Sequence, residues 1–411
     1  MSRRAAAAGS QSSLREANRA LVVETIKRYG GLTQVELAAA TGLSAATVST
    51  IVRELLTAGL VDTAFTTRSG RRAQLVTLAR RVGLAAGVQV GHRHLRVVLG
   101  DFSHEVIAEQ SLPLPADHRA DTTLDRVALL VVDLVERVGA TLEDVVGLGL
   151  GVPAPVDRAT GMISVRGIMP GWDDVHLAHV LSKRLGRPVY VDNDANLGAL
   201  AESVLGAARE YRDSVFVRAS YGTGAGIVIN GQVHRGFAGT AGEIGHVQVD
   251  PQGDICRCGN RGCLDTVVGA SALLGPLRTS HGSLALRDVI ARAVDGDRGC
   301  AQVIGDAATV IGAVVAGLVG AVNPQCIVVG GELAETGELL LGPLRAAVHR
   351  QVLHNQIAPV EVVLAELGPG AEVMGALVLA LESTDVSLQD VAGRPEAGAQ
   401  VESQTVAEVL G

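Results

Sequence analysis

Residues 239–265 read GTAGEIGHVQVDPQGDICRCGNRGCLD, and this stretch carries the strongest chemical pattern in the chain. Cys256, Cys258 and Cys263 fall within eight positions and are separated by glycine, asparagine and arginine rather than by apolar core residues. The glycines allow three thiolates to surround one ion, and His246, ten residues upstream, is a natural fourth ligand. Four protein ligands leave no open position, so the set predicts a closed, structural zinc site. The alternative is that all four are reduced core residues.

Composition limits the class of protein. The 411 residues are 47% hydrophobic and 19% charged, which is enough apolar content for two or three packed domains and argues against a disordered polymer. No membrane span is expected, because the longest apolar stretches, such as Val310–Val322, are short and glycine-rich. An N-terminus without an apolar leader, and cysteines gathered in one motif, predict a reducing, cytoplasmic location. Cys300 and Cys326 lie in apolar runs and are expected in the core.

The net charge of −8 hides an asymmetry between the two parts of the chain. Residues 1–80 hold eleven Lys and Arg against five Asp and Glu, whereas the remainder holds 24 against 38. A basic head on an acidic body is typical of a protein in which only the head meets a polyanion. The alternative is a chance clustering of charge.

The first eighty residues show the spacing of a helix-turn-helix. Apolar residues predict a first helix over Leu14–Tyr29 with Leu21 on its packed face. Thr33 and Glu36 stand at the spacing of a capping box and begin a second, short helix. A turn at Gly42 separates this helix from a third one.

The third helix, from its cap Ser44 to about residue 58, is predicted to read DNA. Leu56 is expected on its buried face, and small or polar residues on the opposite face. Small residues let a helix lie deep in a major groove, where hydroxyls and a guanidinium reach base edges and phosphates. The residues assigned to DNA contact in this helix are Ser44, Thr47, Ser49, Thr50 and Arg53.

A basic hairpin follows the third helix. Two strand-like segments enclose the turn formed by residues 68–72, in which Arg68, Arg71 and Arg72 are expected to grip phosphates or enter a minor groove. Helices and hairpin together predict a winged helix-turn-helix that binds DNA. The alternative is a three-helix packing module with a solvated, charged loop.

From residue 83 onwards the pattern changes to alternating strands and helices. Strands that end in polar or glycine-rich loops recur in two halves, which predicts a two-lobed α/β body with a ligand cleft between the lobes. The predicted limits are 14–80 for the winged helix, 84–195 for the first lobe, completed by a C-terminal helix at about 370–383, and 196–369 for the second lobe. Residues 1–13 and 384–411 are expected to be a disordered tail and a mobile tail.

These motifs match a known family. The cysteine motif at residues 256–265, the preceding segment at 239–246, Asn193-Asp194 and the glycine turn at 222–226 resemble the ROK family of repressors and sugar kinases, specifically its winged-helix repressor branch. The resemblance covers residues from about 14 to 382. It implies a ribonuclease-H-like body of the actin and hexokinase type, with a pyranose site in the cleft.

By motif match, the resemblance implies that the sugar is bound by Asn193, Asp194, Glu243, His246 and Asp265. A ring of carboxylates and amides suits sugar hydroxyls independently of the family. His246 is expected to hold zinc with one ring nitrogen and to contact sugar with the other. Asp265 departs from the family's Glu, and its shorter side chain puts its sugar contact in question.

Kinase activity is not expected. In the kinases of this family a phosphate loop, Asp-x-Gly-Gly-Thr-Lys, follows the first strand, and here the segment Gln89–His94 reads QVGHRH. Gln cannot supply a carboxylate for the metal, and bulky His and Arg replace residues that let backbone amides approach phosphate. Asp194 occupies the position of the catalytic base and is interpreted as a vestigial base that accepts a hydrogen bond from the ligand.

The sequence therefore predicts a sugar-responsive transcription regulator, a repressor that binds operator DNA as a homodimer or homotetramer. A sugar or sugar phosphate in the cleft is expected to release or modulate it, with zinc as its structural cofactor and no membrane partner. The main alternative is an active ATP-dependent sugar kinase with a DNA-binding head. A weaker alternative is a regulator with a vestigial sugar pocket that responds to a partner protein.

Overall fold

The N-terminal part of the chain is a winged helix-turn-helix. The structure, a computed structural model, describes residues 11–68, 71–157, 159–353 and 359–384, without the side chains of residues 11, 12, 67, 68 and 71. The elements of this part are α1 (Gln11–Tyr29), β1 (Leu32–Thr33), α2 (Gln34–Thr41), α3 (Ala45–Thr57), β2 (Val61–Arg68) and β3 (Arg71–Leu78). The three strands form one antiparallel sheet in the order β1-β3-β2.

Local sequence explains where these helices begin and end. The Thr33 side chain accepts from the backbone of Glu36 and the Glu36 carboxylate accepts from Thr33, so the expected capping box is formed. Gly42 ends α2 with φ of +70°, a conformation that glycine adopts without strain. Ser44 then caps α3 by accepting from the backbone of Thr47. The helix-turn-helix spacing is therefore set by two caps and one glycine.

Three details of the prediction were wrong. The first helix begins at Gln11, so residues 11–13 do not belong to a tail, and the rest of 1–13 lies outside the described residues. Leu21 is 43% exposed and Leu56 is 39% exposed, whereas Val23 and Ile51 are buried. The packed face of α1 is turned toward the body of the protein, and a helical pattern read by itself does not show that neighbour.

The first lobe is built on a mixed five-stranded sheet with the order β10-β7-β4-β5-β6, in which only β5 runs antiparallel to its two neighbours. Its elements are β4 (Leu84–Val90), β5 (His94–Asp101), β6 (Val106–Pro113), α4 (Ala120–Arg137), β7 (Val145–Val152), β8 (Val156–Asp157), β9 (Met162–Ile163), α5 (Leu177–Leu185), β10 (Val189–Asn193) and, after it, α6 (Asp194–Val204). The near-continuous Ala, Val, Leu and Gly of β4 and β7 follow from their burial in the centre of this sheet.

The second lobe repeats the topology of the first, because its sheet has the order β13-β12-β11-β14-β15 with the same parallel and antiparallel pairs. Its elements are β11 (Ser214–Ala219), β12 (Thr223–Ile229), β13 (Gln232–His234), α7 (Leu264–Val268), α8 (Ala270–His281), α9 (Leu286–Val294), α10 (Arg298–Val322), β14 (Cys326–Gly330), α11 (Glu338–Gln351) and β15 (Glu361–Leu364). The last helix, α12 (Ala371–Ser383), packs on the sheet of the first lobe and completes that lobe. Two lobes of this topology form the expected actin and hexokinase type of body.

Helices α6 and α12 lie between the two sheets. Gly375 of α12 allows this contact, because a Cβ there would lie 1.9 Å from the carbonyl oxygen of Leu197 in α6. On the other side of α12, a Cβ at Gly149 of β7 would likewise lie 1.9 Å from the carbonyl oxygen of Ala376. Since no side chain separates these backbones, α12 is held rigidly between α6 and the first sheet.

The winged helix shares a hydrophobic core with the first lobe. Side chains of α1 and α3, including Val22 and Ile26, pack in one cluster with Phe102 of the first lobe and with Leu377 and Leu381 of α12. The DNA-binding part is therefore packed against the body rather than linked to it by a free tether.

The expectation that Val310–Val322 is too short to cross a membrane rested on too short a helix. This stretch is the C-terminal half of α10, whose 25 residues are long and apolar enough to span a bilayer by length and composition. One face of α10, including Ile304, Ile311 and Val315, is buried in the core of the second lobe against α11. A long helix in a protein core packs in the same way and passes the same test of length and composition. Cys300 and Cys326 are buried in this part of the chain, as expected.

Candidate functional site

The cysteine motif folds into a knuckle between β13 and α7. Gly262 is required there, because its φ is +64° and a Cβ would lie 1.5 Å from the carbonyl oxygen of Asp250. The backbone N–H of Cys256 donates to the carbonyl of Asn260 at 2.7 Å and closes the loop. His246 ends a short 3₁₀ turn that faces the knuckle. The loop therefore brings the side chains of His246, Cys256, Cys258 and Cys263 close together.

The four predicted ligands converge as a tetrahedral ion requires. The Nδ1 of His246 lies 3.6 Å from the Sγ of Cys256, the Sγ atoms of Cys258 and Cys263 are 3.7 Å apart, and all four ligand atoms lie within 4.8 Å of one another. Zinc–sulfur bonds of ~2.3 Å at tetrahedral angles place two sulfurs about 3.8 Å apart. The donor set and its spacing fit zinc.

A second group with metal-ligand side chains has a complete explanation without an ion. Asp297 caps α10 by accepting from the backbone of Cys300, and its other oxygen pairs with His281 at 3.0 Å. The His281 ring also contacts the hydroxyl of Ser280. Helix capping and an ion pair satisfy these groups.

All five predicted sugar contacts line one cavity between the lobes. Its volume is about 30 Å³, and its lining includes the five residues named from the family motif. The space enclosed between the lobes is therefore small compared with ligand pockets, which are typically ~300–1,000 Å³. The residues that line it are Asn193, Asp194, Glu243, His246 and Asp265, joined by His92, Pro153, Pro155, Ile168, Arg218, Arg257 and the turn Gly222-Thr223-Gly224.

Asn193 and Asp194 are positioned by the start of α6. The Oδ1 of Asn193 caps the helix by accepting from Ala195 at 2.8 Å, which leaves its Nδ2 directed at Glu243, 3.5 Å away across the cleft. Asp194, the first residue of α6, is 4% exposed. Burial raises the pKa of Asp194 above its ordinary value, and the nearby Arg218 opposes this effect.

Arg218 is a site residue that the sequence analysis missed. Its Nε lies 3.0 Å from Glu372 of α12 and 3.3 Å from Asp194 of α6, and the side chain is 4% exposed. Burial disfavours its charge, but Asp194, Glu332 and Glu372 together raise its pKa. A single arginine in the apolar strand β11, which reads SVFVRA, is the sequence signal that marks it.

The opposite wall of the cleft is formed by carboxylates of the second lobe. Burial, reinforced by Asp194 and Asp265, raises the pKa of Glu243 to about 7. The Oε2 of Glu243 lies 4.0 Å from the Nε2 of His246, whose other nitrogen faces the cysteines. Asp265 accepts from the backbone of Thr223 at 2.7 Å and from Arg257 at 3.3 Å, so its short side chain is engaged within its own lobe.

The segment that replaces the phosphate loop enters the same cleft. Gln89 is 2% exposed at the end of β4. The ring of His92 lies among the cavity residues, 6.1 Å from the ring of Tyr221. Burial, with the positive charges of Arg218 and Arg257, lowers the pKa of His92 to about 3. His92 is therefore a neutral imidazole within the cleft.

The residues assigned to DNA contact in α3 differ in their exposure. Ser44, Thr50 and Arg53 are exposed, and Thr47 and Ser49 are half-buried. The Thr50 hydroxyl donates to the carbonyl of Ala46 within α3, so it is directed along its own helix.

On the wing, the exposed Arg72 guanidinium stacks over the ring of Phe65 at 3.8 Å. Phe65 itself is 71% exposed. The side chains of Arg68 and Arg71 lie outside the described part of the structure, so the prediction for these two residues stays a prediction.

Fold and cleft define a class of protein: a winged helix-turn-helix joined to a two-lobed sugar-kinase-like body. The ROK family matches residues 85–383, and a MarR family model matches residues 16–72. The chain belongs to the ROK family.

Known proteins with both parts resemble the chain over most of its length. It is 31% identical over 377 residues to the N-acetylglucosamine repressor of Escherichia coli O157:H7, covering 87% of this chain and 91% of the relative. It is 28% identical to the xylose repressor of Caldicellulosiruptor bescii, covering 91% and 97% of the two chains.

Two solved structures are also similar to this chain. A ROK family transcriptional regulator described as a homolog of the E. coli MLC protein superposes with a TM-score of 0.72, at 26% identity, over 92% of this chain and 99% of the other. A ROK family glucokinase from Streptomyces griseus, solved with glucose and AMPPNP, reaches 0.65 at 28% identity over 72% of this chain and 99% of the other. The regulator therefore matches the winged helix as well as the body, whereas the kinase has the length of the body.

Proposed function

We propose that this protein is a sugar-responsive transcription repressor. The observation that carries the proposal is the union, in one chain, of a winged helix packed on the body and a cleft where five sugar-binding residue types converge. Relatives named xylose repressor and N-acetylglucosamine repressor support a small sugar or its phosphate as the effector. We assign the DNA-binding domain to residues 14–80. We expect the protein to act in the cytoplasm.

Zinc is the structural cofactor in this proposal. His246, Cys256, Cys258 and Cys263 hold it, and the bound ion supplies a rigid brace for the loop that carries Glu243 and Asp265. His246 would face the ion with Nδ1 and the cleft with Nε2, as its contacts with Cys256 and Glu243 support. Loss of zinc is then expected to disturb the sugar site as well as the knuckle.

Operator binding is assigned to α3 and the wing, with the protein acting as a homodimer or homotetramer. Two copies place two recognition helices in successive major grooves, which requires half-sites separated by whole helical turns. Exposed Arg53 and Arg72 support this assignment, because guanidinium groups bind phosphates and guanine edges. Sugar favours a different arrangement of the lobes, and by linkage DNA weakens sugar binding by the same factor.

We propose further that the chain is not a sugar kinase. Gln89 supplies no carboxylate for a metal, His92 fills the space of the phosphate loop, and Arg218 pairs with the carboxylate at the base position. Steady-state ATP turnover with a hexose and pentose panel tests this alternative, and a turnover number within the usual kinase range of ~1–100 s⁻¹ would contradict the proposal.

Thermal unfolding of the zinc-loaded protein against free and phosphorylated sugars is the first test. A ligand that binds the native state raises the melting temperature selectively, and we expect one sugar or sugar phosphate to do so. The same compound should release the duplex that the protein selects from a randomised DNA pool. Equal DNA affinity with and without every sugar contradicts the sugar response and favours a vestigial pocket. No selective DNA binding contradicts the regulator assignment itself.

A further inference from the structure

We infer that Lys27 and Arg28, adjacent at the end of α1, transmit the relative movement of the two lobes to the DNA-binding domain. This inference rests on the proposed function and specifies how the cleft regulates DNA binding. Lys27 contacts the first lobe through α12, whereas Arg28 contacts both α12 and the second lobe. A displacement of one lobe against the other therefore acts directly on α1, the first helix of the winged helix-turn-helix.

Lys27 is bound to the first lobe. Its Nζ is buried and donates to the carbonyl oxygen of Thr384 at 2.6 Å, at the C-terminal end of α12. The Thr384 hydroxyl donates in turn to Ala380, which fixes this end of the helix. The opposite end of α12 carries Glu372, which pairs with Arg218 in the cleft. One helix of the first lobe therefore reaches from the cleft to Lys27.

Arg28 links the second lobe to α12. Its Nη2 donates to the carbonyl oxygen of Gly231, in the turn between β12 and β13, and its Nε lies 3.9 Å from the carboxylate of Glu382 in α12. Asn230 and Gly231 both have positive φ in this tight turn, and the Asn230 backbone N–H donates to Asp213 at 2.8 Å. The turn is thus braced by the segment that precedes β11 and moves with the second lobe.

Strand β12 connects this turn to the sugar cleft. Its first residue, Thr223, lines the cavity and donates its backbone N–H to Asp265. Six residues later the strand ends at Ile229, beside the turn that holds Arg28. At ~3.3 Å per residue, the strand spans roughly 20 Å. Each lobe therefore presents one regular element with one end in the cleft and the other end on α1.

The size of the cavity supplies a reason for movement. Since the space enclosed between the lobes is only about 30 Å³, we expect sugar binding to move Thr223 and its neighbours away from Asn193 and Asp194, or to move side chains between them. A shift of β12 relative to α12 would strain or break the Arg28 contact while the Lys27 contact is kept. The winged helix would then keep its packing on the first lobe and change its orientation to the second.

The test compares Arg28→Ala with wild type in the full chain. Operator affinity is measured for the selected duplex with and without saturating D-xylose or N-acetylglucosamine, and the ratio of the two dissociation constants defines the coupling. We expect a wild-type ratio within the usual ~5–150-fold range and at least a fivefold smaller ratio in Arg28→Ala. Arg15→Ala, which removes an exposed arginine from the same helix, is the matched control and should retain the wild-type ratio.

Each outcome decides one question. A wild-type ratio above five that stays within twofold in Arg28→Ala overturns the inference and leaves the proposed function standing. A smaller ratio in both variants assigns the effect to positive charge on α1 rather than to the lobe contact, and overturns it as well. A wild-type ratio of one with every sugar contradicts the proposed function together with this inference. Because each variant is its own reference, a general loss of DNA affinity does not affect the comparison.

Discussion

Glu372 offers a quantitative test of the electrostatics in the cleft. Three carboxylates, Asp194, Glu332 and Glu372, surround the single buried guanidinium of Arg218. One positive charge does not neutralise three negative ones, and burial is the main cause that raises the pKa of Glu372 to about 7. Glu372→Gln keeps an oxygen that can accept from Arg218 and removes the titrating group.

The expected magnitude follows from this pKa. A rise from 4.5 to about 7 corresponds to about 3 kcal/mol, of which about 2 kcal/mol is lost between pH 5.5 and pH 8. The sign is set by the folded state, which keeps a proton that the unfolded chain releases, so wild type loses stability as pH rises toward 7. With an unfolding entropy of about 2.1 cal/mol/K per residue over residues 85–383, 2 kcal/mol corresponds to a shift of about 3 °C.

Melting temperatures of wild type and Glu372→Gln at several pH values between 5.5 and 8 provide the assay. The variant should gain about 3 °C relative to wild type across this range. Glu143→Gln, which removes an exposed carboxylate of the first lobe, is the control and should run parallel to wild type. Parallel curves for Glu372→Gln would show that the carboxylate does not titrate between pH 5.5 and pH 8 in the folded protein, and the reasoning about a shared cation would be wrong.

Four other changes test separate parts of the structure. Cys258→Ser should reduce zinc from one ion per chain to near zero by metal analysis and lower the melting temperature, and full zinc content would contradict the ligand assignment. Arg71→Ala combined with Arg72→Ala should make the slope of log affinity against log salt shallower by about 2, and an unchanged slope would exclude a DNA contact by the wing. Gly149→Ala should destabilise the first lobe by about 1–3 kcal/mol or more, because its Cβ meets a backbone carbonyl at 1.9 Å. Gly317→Ala, with nothing within 4 Å, should instead stabilise α10 by about 1 kcal/mol.

Features governed by local sequence were predictable. The capping residues Thr33 and Ser44 begin the helices as expected, because a cap depends only on the next three residues. The knuckle was also predictable, since its cysteines are close in sequence and have a specific chemistry. His246 was assigned from its spacing; its two ring nitrogens face the knuckle and Glu243, and its role toward both zinc and sugar stays a prediction.

Features governed by distant contacts were not predictable from a pattern. Arg218 and Glu372 are 154 positions apart, and no local rule pairs them. The exposure of Leu21 has the same origin, because the packed side of α1 is selected by α12, a helix near the other end of the chain. The apolar spacing of α1 therefore identified a helix but not the direction in which its faces point.

The proposed function requires a cleft that binds sugar without catalysis. A general base must be free to accept a proton from the reacting hydroxyl, and the phosphate must be held beside it. Here the Asp194 carboxylate is paired with Arg218, which is paired with Glu372 on α12. A sugar hydroxyl that donates to Asp194 competes with the guanidinium, so binding alters the balance between Asp194 and Glu372. We infer that the ion pair of Asp194 with Arg218, which hinders Asp194 as a base, serves to sense the ligand. It joins Asp194, which accepts from the sugar, to α12, the helix that contacts the DNA-binding domain.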